Sequence, residues 1–191
     1  MTSATIDAAE PLETPTWRDG KRYAWLLGLL VPSLPLMAWG LVEVTGIGAF
    51  WFIGPAVVFG LFPLLDLLIG TDQDNPPDSV IAWLEEDRYY RWCTYLYIPL
   101  QYVSLVLACW LWSSGNLSTI DSIGLALTTG VVAGVAINTA HELGHKRASM
   151  ERWLSKVALA QTGYGHFFIE HNRGHHVRVA TPEDPASSRL G

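Results

Sequence analysis

The chain has 191 residues and a formal net charge of −6; half of its residues are hydrophobic, 16% are charged and nine are tryptophan. A composition this apolar and aromatic is unusual for a water-soluble domain. The charge pattern of a nucleic-acid binder is absent.

Residues 1–20 are mostly polar, with Pro11 and Pro15, and are expected to form a disordered cytoplasmic N-terminus. No n-region, h-region and cleavage site precede the first apolar stretch, so no signal peptide is expected. Long uncharged runs follow. Tyr23 to Val42 holds 20 residues, Val44 to Leu65 holds 22, Trp92 to Ile120 holds 29, and Ser122 to His141 holds 20 with histidine counted as neutral. A bilayer core needs about 20 apolar residues per helix, so four spans are predicted. Pro32, Pro35, Pro55, Pro63 and Pro99 fall inside these runs. Membrane helices tolerate proline because neighbouring helices satisfy the freed backbone groups.

Asn75-Pro76-Pro77 marks a turn between spans two and three, since a helix cannot continue through it. Ile81 to Tyr90 then reads as an amphipathic cytoplasmic helix leading into span three. Cys93 and Cys109 lie in or beside that span, too far apart for a Cys-x-x-Cys motif, and act as small apolar side chains. In span four, Ala126, Gly130, Gly134 and Asn138 recur every four residues, a register that permits close helix packing. Val157 to Ile169 is uncharged for only 13 residues, too short to span simply. It is predicted to be a re-entrant or partly inserted helix.

All 12 basic residues fall before span one, between spans two and three, or after span four. The positive-inside rule therefore predicts cytoplasmic termini and a cytoplasmic segment after span four.

That segment carries the chemistry. All six histidines lie between residues 141 and 176, five of them in the clusters His141-Glu142-Leu143-Gly144-His145 and Glu170-His171-Asn172-Arg173-Gly174-His175-His176. Residues four apart share a helical face, so His141 and His145 can aim at one point. His171 and His175 repeat the spacing, and His176 adds a further nitrogen. Five neutral nitrogen donors at the end of a membrane span predict a site for more than one metal ion. The first cluster also matches the H-E-x-x-H pattern of zinc metalloproteases, with Glu142 as base. One tetrahedral zinc could not use the three histidines of the second cluster, and an all-imidazole site of this density suits iron or another imidazole-preferring ion. No G-x-G-x-x-G or G-x-x-x-x-G-K pattern occurs, so no dinucleotide or P-loop site is expected. Electrons, if needed, must come from another protein.

The residues around the clusters carry a resemblance. Asn138-Thr139-Ala140-His141-Glu142-Leu143-Gly144-His145-Lys146 resembles the first histidine box of the integral-membrane alkane 1-monooxygenases. Gly163-Tyr164-Gly165-His166-Phe167-Phe168-Ile169-Glu170-His171-Asn172-Arg173-Gly174-His175-His176 resembles their second box. The continuation from Val179 to Arg189 is similar to the family's signature after that box, and Pro63-Leu64-Leu65-Asp66 and Asn75-Pro76-Pro77 match as well. The histidine spacings alone belong to the wider membrane desaturase and hydroxylase group.

The resemblance implies an all-α, polytopic transmembrane protein with a cytoplasmic histidine-box metal site, in a bacterial inner membrane. It implies a domain over residues 21–191 that is truncated at its C-terminus, because family members are about twice as long and carry a third histidine box. The implied activity is O₂-dependent terminal hydroxylation of medium- or long-chain n-alkanes to 1-alkanols at two non-haem iron ions. Rubredoxin and a rubredoxin reductase would supply electrons. His141, His145, His171, His175 and His176 would be iron ligands, with Glu142 and Glu170 orienting imidazoles and His166 in a supporting role. An unactivated methyl offers no handle for acid–base chemistry, which agrees with a redox-active metal in a dry channel. In span two, Val58 sits small among Phe50, Trp51, Phe52, Phe59 and Phe62 and is the expected channel-lining residue. The alternatives are a membrane fatty-acyl desaturase or hydroxylase and, less compatible with five histidines, the zinc metalloprotease.

Overall fold

The computed structural model describes residues 17–70, 75–184 and 186. Most of the predicted disordered N-terminus, residues 71–74, and the end of the signature segment lie outside the described residues. Among the described residues, every regular element is helical. Four are long and apolar enough to cross a membrane: α1 (Arg22–Thr45), α2 (Gly48–Ile69), α4 (Arg88–Ser113) and α5 (Thr119–His145). These match the four predicted spans, and the protein is an all-α, multi-pass membrane protein.

Between them lies α3 (Asp78–Glu86). The predicted helix over Ile81 to Tyr90 is broken at Asp87, whose extended backbone and side chain cap α4 by accepting from Tyr89 N at 2.8 Å. Asp87 also holds Arg22 Nη1 at 3.0 Å, tying the start of α1 to the start of α4.

Prolines shape the first two spans. α1 begins as a 3₁₀ helix over Arg22–Leu29 before becoming regular. α2 passes from a 3₁₀ turn (Gly48–Phe52) through a π-helical turn (Ala56–Leu61) into Phe62–Ile69. Pro55 has no N–H to offer the carbonyl of Trp51, four residues back. Thr128 of α5 donates its hydroxyl to that carbonyl at 2.6 Å and accepts from Gly54 N at 3.0 Å. Ser104 of α4 donates to the Pro32 carbonyl of α1 at 2.5 Å. In hydrocarbon an unsatisfied carbonyl costs several kcal/mol, so these hydroxyls fix which helices are neighbours.

Three apolar clusters fill the bundle. Val31, Leu34, Tyr97, Val132 and Ala136 join α1, α4 and α5, with Val57, Val58 and Phe62 of α2 packed on them. Ala38, Trp51, Ala108, Leu111 and Leu125 form a second, and Ile98, Ala140, Leu143, Ala158 and Leu159 a third. The third contains α6 (Ser149–Ala160), which reverses beside the end of α5. Its start is held by Arg91 and Tyr95 on the buried Glu151 (Arg91 Nη2 3.1 Å, Tyr95 OH 2.6 Å). Further along, Gln101 and Tyr102 donate to the Ala158 and Val157 carbonyls. Thus α6 runs parallel to α4, from the level of Arg91 to that of Gln101.

Two expectations are corrected here. Val157 to Ile169 is not one inserted helix. The end of α6, a turn closed by Gly163 in the left-handed region (φ 67°), and the start of α7 (167–178) divide the run. It is uncharged because it forms the tip of a helical hairpin folded against the spans. The small-residue stripe of α5 is not a packing surface among the described residues. Ala126, Gly130, Gly134 and Asn138 are exposed, and a Cβ added at Gly130 or Gly134 meets nothing within 4 Å. Close approach occurs instead on another face, where a Cβ at Gly54 would lie 2.7 Å from Thr128 Cα and one at Gly124 would lie 2.7 Å from the Phe52 ring.

This contrast can be measured. Gly54→Val is expected to push α2 off α5 and destabilise the detergent-solubilised protein by about 1–3 kcal/mol, whereas Gly134→Val leaves the thermal midpoint near that of the native protein. Equal midpoints for the two variants would contradict the packing described.

Candidate metal centre

The last turn of α5 presents His141 and His145 on one face, as their four-residue spacing predicts. α6 can lie directly on that turn because Gly144 has no side chain. A Cβ there would stand 3.2 Å from Ser155 Oγ and 3.6 Å from Phe168 and Asn172. Ser155 is buried and donates to the Ala140 carbonyl at 2.6 Å. The chain turns at Gly163 and returns as α7, bringing the second cluster back to the first.

α7 is regular only at its ends. Phe167–Ile169 and His176–Arg178 are α-helical, and Glu170–His175 is a π-helix. In the wider π turn the partner lies five residues on, so His171 shares its face with His176. The Phe168 carbonyl accepts from the Asn172 side-chain amide at 2.9 Å. Phe167 stacks on His171, with ring centroids 4.9 Å apart and planes 15° from parallel.

Four imidazoles converge. His145 Nε2 lies 3.1 Å from His141 Nε2 and 3.2 Å from His171 Nε2, and His171 Nε2 lies 3.0 Å from His176 Nε2. Ligand nitrogens of all four fall within 4.8 Å of one another. Glu142 Oε1 stands 3.2 Å from His141 Nδ1. If Nδ1 donates there, His141 Nε2 carries a lone pair facing its neighbours. Each neutral imidazole carries one N–H, so at these separations the ring nitrogens can either share N–H···N hydrogen bonds or turn their lone pairs on a common cation. Separations of 3.0–3.2 Å are also close to the edge of a polyhedron whose metal–nitrogen bonds are about 2.1 Å. The donor set therefore fits a metal ion, and all-imidazole ligation is consistent with non-haem iron. Desolvation, followed by the neighbouring His141, His176, His145 and His175, pushes His171 down to about 4, which keeps it neutral at physiological pH, as a ligand must be.

The remaining sequence-predicted residues are arranged differently. His175 is outside the group of four; its Nδ1 lies 3.0 Å from both carboxylate oxygens of Asp184, and its ring stacks beside His171 at 5.5 Å. The π turn explains this, because it gives His176 the place that four-residue spacing assigns to His175. Glu170 stands 3.9 Å from His166 Nε2, and His166 lies against Tyr164 rather than in the cluster. Val58 is half-buried on the Tyr97, Val132 and Ala136 cluster, while Phe59 is 71% exposed. Sequence reasoning missed Asp184, although an acidic residue soon after a His-His pair was a usable signal.

Comparison with known proteins agrees with this site. The fatty acid desaturase family pattern matches residues 122–191, which include every histidine. The alkane 1-monooxygenase of Pseudomonas putida is 46% identical over 99% of this chain and 46% of its own length. Alkane 1-monooxygenase 1 of Alcanivorax borkumensis is 47% identical over 91% of this chain and 43% of its own, and the alkane 1-monooxygenase of Ectopseudomonas oleovorans is 47% identical over 93% and 44%. The chain spans a little under half the length of these curated relatives. Over nearly the whole of its own length, this chain is a family-level match to the bacterial alkane 1-monooxygenases.

Proposed function

We propose that this chain forms part of an alkane 1-monooxygenase, which hydroxylates the terminal carbon of n-alkanes with O₂ at two non-haem irons. The observation that carries the reading is the four-imidazole cluster at the end of an apolar span, in a chain that matches proteins named for that activity. Bound iron supplies the O₂ activation that an unreactive methyl group requires.

The chain's own residues do the rest. His141, His145, His171 and His176 offer lone pairs to iron, and His175 is a fifth donor beside them. Glu142 accepts a hydrogen bond from Nδ1–H of His141 and so orients its Nε2. Glu170 faces His166 at 3.9 Å, and through that ring it would support the cluster from outside. The spans keep water from a substrate dissolved in the bilayer. Electrons come from rubredoxin and its reductase, in keeping with the lack of nucleotide-binding motifs.

A bacterial inner-membrane location with the cluster on the cytoplasmic side is supported by the fold. Arg18, Lys21, Asn75, Arg91, Glu142 and Lys146 line one common pocket of about 680 Å³. The three basic regions therefore share one end of the bundle, as the positive-inside rule requires.

The iron reading is tested on the full-length protein purified from iron-replete cells. Mass spectrometry is expected to find iron; near-stoichiometric zinc with negligible iron would favour the H-E-x-x-H hydrolase. The match to the fatty acid desaturase pattern keeps acyl chains as the second reading. Cells expressing the full-length protein with rubredoxin are expected to convert an n-alkane to its 1-alkanol, and unsaturated acyl lipids formed without alkanol would favour the desaturase.

Val58 tests the substrate path. It packs on the cluster that includes Val132 and Ala136 of α5, the helix that ends in His141 and His145. Val58→Trp adds bulk in that packed space and is expected to cut oxidation of the longest alkanes about tenfold or more, with shorter alkanes spared. An unchanged chain-length profile in a well-expressed variant would assign Val58 to packing alone.

A further inference from the structure

The link from α7 into the signature segment makes an abrupt return. Ala180 adopts φ 64°, a left-handed conformation that strains a residue with a Cβ. Thr181 N bonds the Arg178 carbonyl, and Asp184 N bonds the Thr181 carbonyl at 3.2 Å. These turns carry Asp184 back against α7, where its side chain is only 1% exposed. A carboxylate so thoroughly hidden needs partners for its charge. Ala186 N donates to Oδ1 at 2.9 Å, and both oxygens lie 3.0 Å from His175 Nδ1.

We infer that Asp184 is the positioning residue for His175: its buried carboxylate accepts a hydrogen bond from Nδ1–H, which holds the proton there and leaves Nε2 as the nitrogen with a lone pair for metal. The imidazole is thereby locked in one tautomer and one ring orientation, and the adjacent negative charge makes it a stronger donor. The ring so held stands 5.5 Å from those of both His171 and His176, beside the four-imidazole cluster. Asp184 thus gives His175 what Glu142 gives His141, but from a buried position: the Glu142 side chain is 68% exposed. The strained turn at Ala180 and the burial of Asp184 then have one explanation, as does the displacement of His175 from the cluster by the π turn.

The inference rests on the iron-binding reading, and the experiment separates the two. Iron content and resistance to a chelator series are measured on the full-length protein, unaltered and with Asp184→Asn, His175→Ala, the double substitution, or Thr181→Val. Thr181→Val removes the hydroxyl bond to the Arg178 carbonyl in the same turn without touching the carboxylate. An unaltered protein that binds no iron defeats the iron reading itself. With iron bound, Asp184→Asn is expected to weaken retention of part of the metal about 10–100-fold and to change the iron Mössbauer spectrum, while Thr181→Val does neither. Added to His175→Ala, Asp184→Asn is expected to cost nothing more. Additive losses, native retention in Asp184→Asn, or an Asp184→Asn protein that fails to accumulate in the membrane would each overturn the inference, the last two by assigning the carboxylate to the loop or to folding.

Discussion

Histidines 26 residues apart in sequence meet because α6 lies directly on the last turns of α5, and that contact depends on Gly144 and Ser155. The glycine removes the side chain that would hold the helices apart, and the serine satisfies itself on the Ala140 carbonyl inside the interface. One turn earlier in α6, Glu151 is 3% exposed and bound by Arg91 and Tyr95. A buried charge without its partner is costly, so this pair admits one register of α6 against α4. The far end of α6 is held by Gln101 and Tyr102 on the Ala158 and Val157 carbonyls, and beyond it the turn at Gly163 returns α7 to the end of α5. The metal centre therefore depends on a hairpin tied to α4 by polar contacts along its length.

The spans solve a related problem. Proline in α1 and α2 breaks the internal hydrogen-bond ladder in a setting where lipid offers no replacement. Thr128 of α5 supplies a hydroxyl to the Trp51 carbonyl, which Pro55 leaves without its helical donor, and Ser104 of α4 adds a bond to the Pro32 carbonyl of α1. These bonds select neighbours, since apolar side chains alone would accept many pairings inside hydrocarbon. They also leave α2 with a π-helical turn across Ala56–Leu61, which carries Val58. The face of α2 nearest the bundle is thus set by backbone irregularity as much as by side-chain pattern.

The four spans were legible because long gaps between charges leave few other structures possible, and His141 and His145 because their helix is regular. What the sequence concealed were departures from regularity. The π turn over Glu170–His175 reassigns the shared face from His175 to His176, and no count of residues reveals whether a helix will widen. The same limit applied to the stripe from Ala126 to Asn138. Its period identified a common face correctly but carried no information on what that face meets. Gly163 broke the Val157–Ile169 run for a comparable reason, since a single left-handed residue ends a helix that its apolar neighbours would continue.

The two kinds of histidine now differ in what holds them. Those of α5 sit on a regular helix whose packing sets their direction. Those of α7 sit on a short irregular helix, so each needs a support of its own: His171 stacks on Phe167, and His175 is held by Asp184. A helix of this length contributes little stability by itself. A metal ion held by imidazoles of both elements would join α7 to α5. The order of the second cluster and the occupancy of the site are therefore expected to be coupled, with the preformed α5 pair as the side to which α7 is drawn.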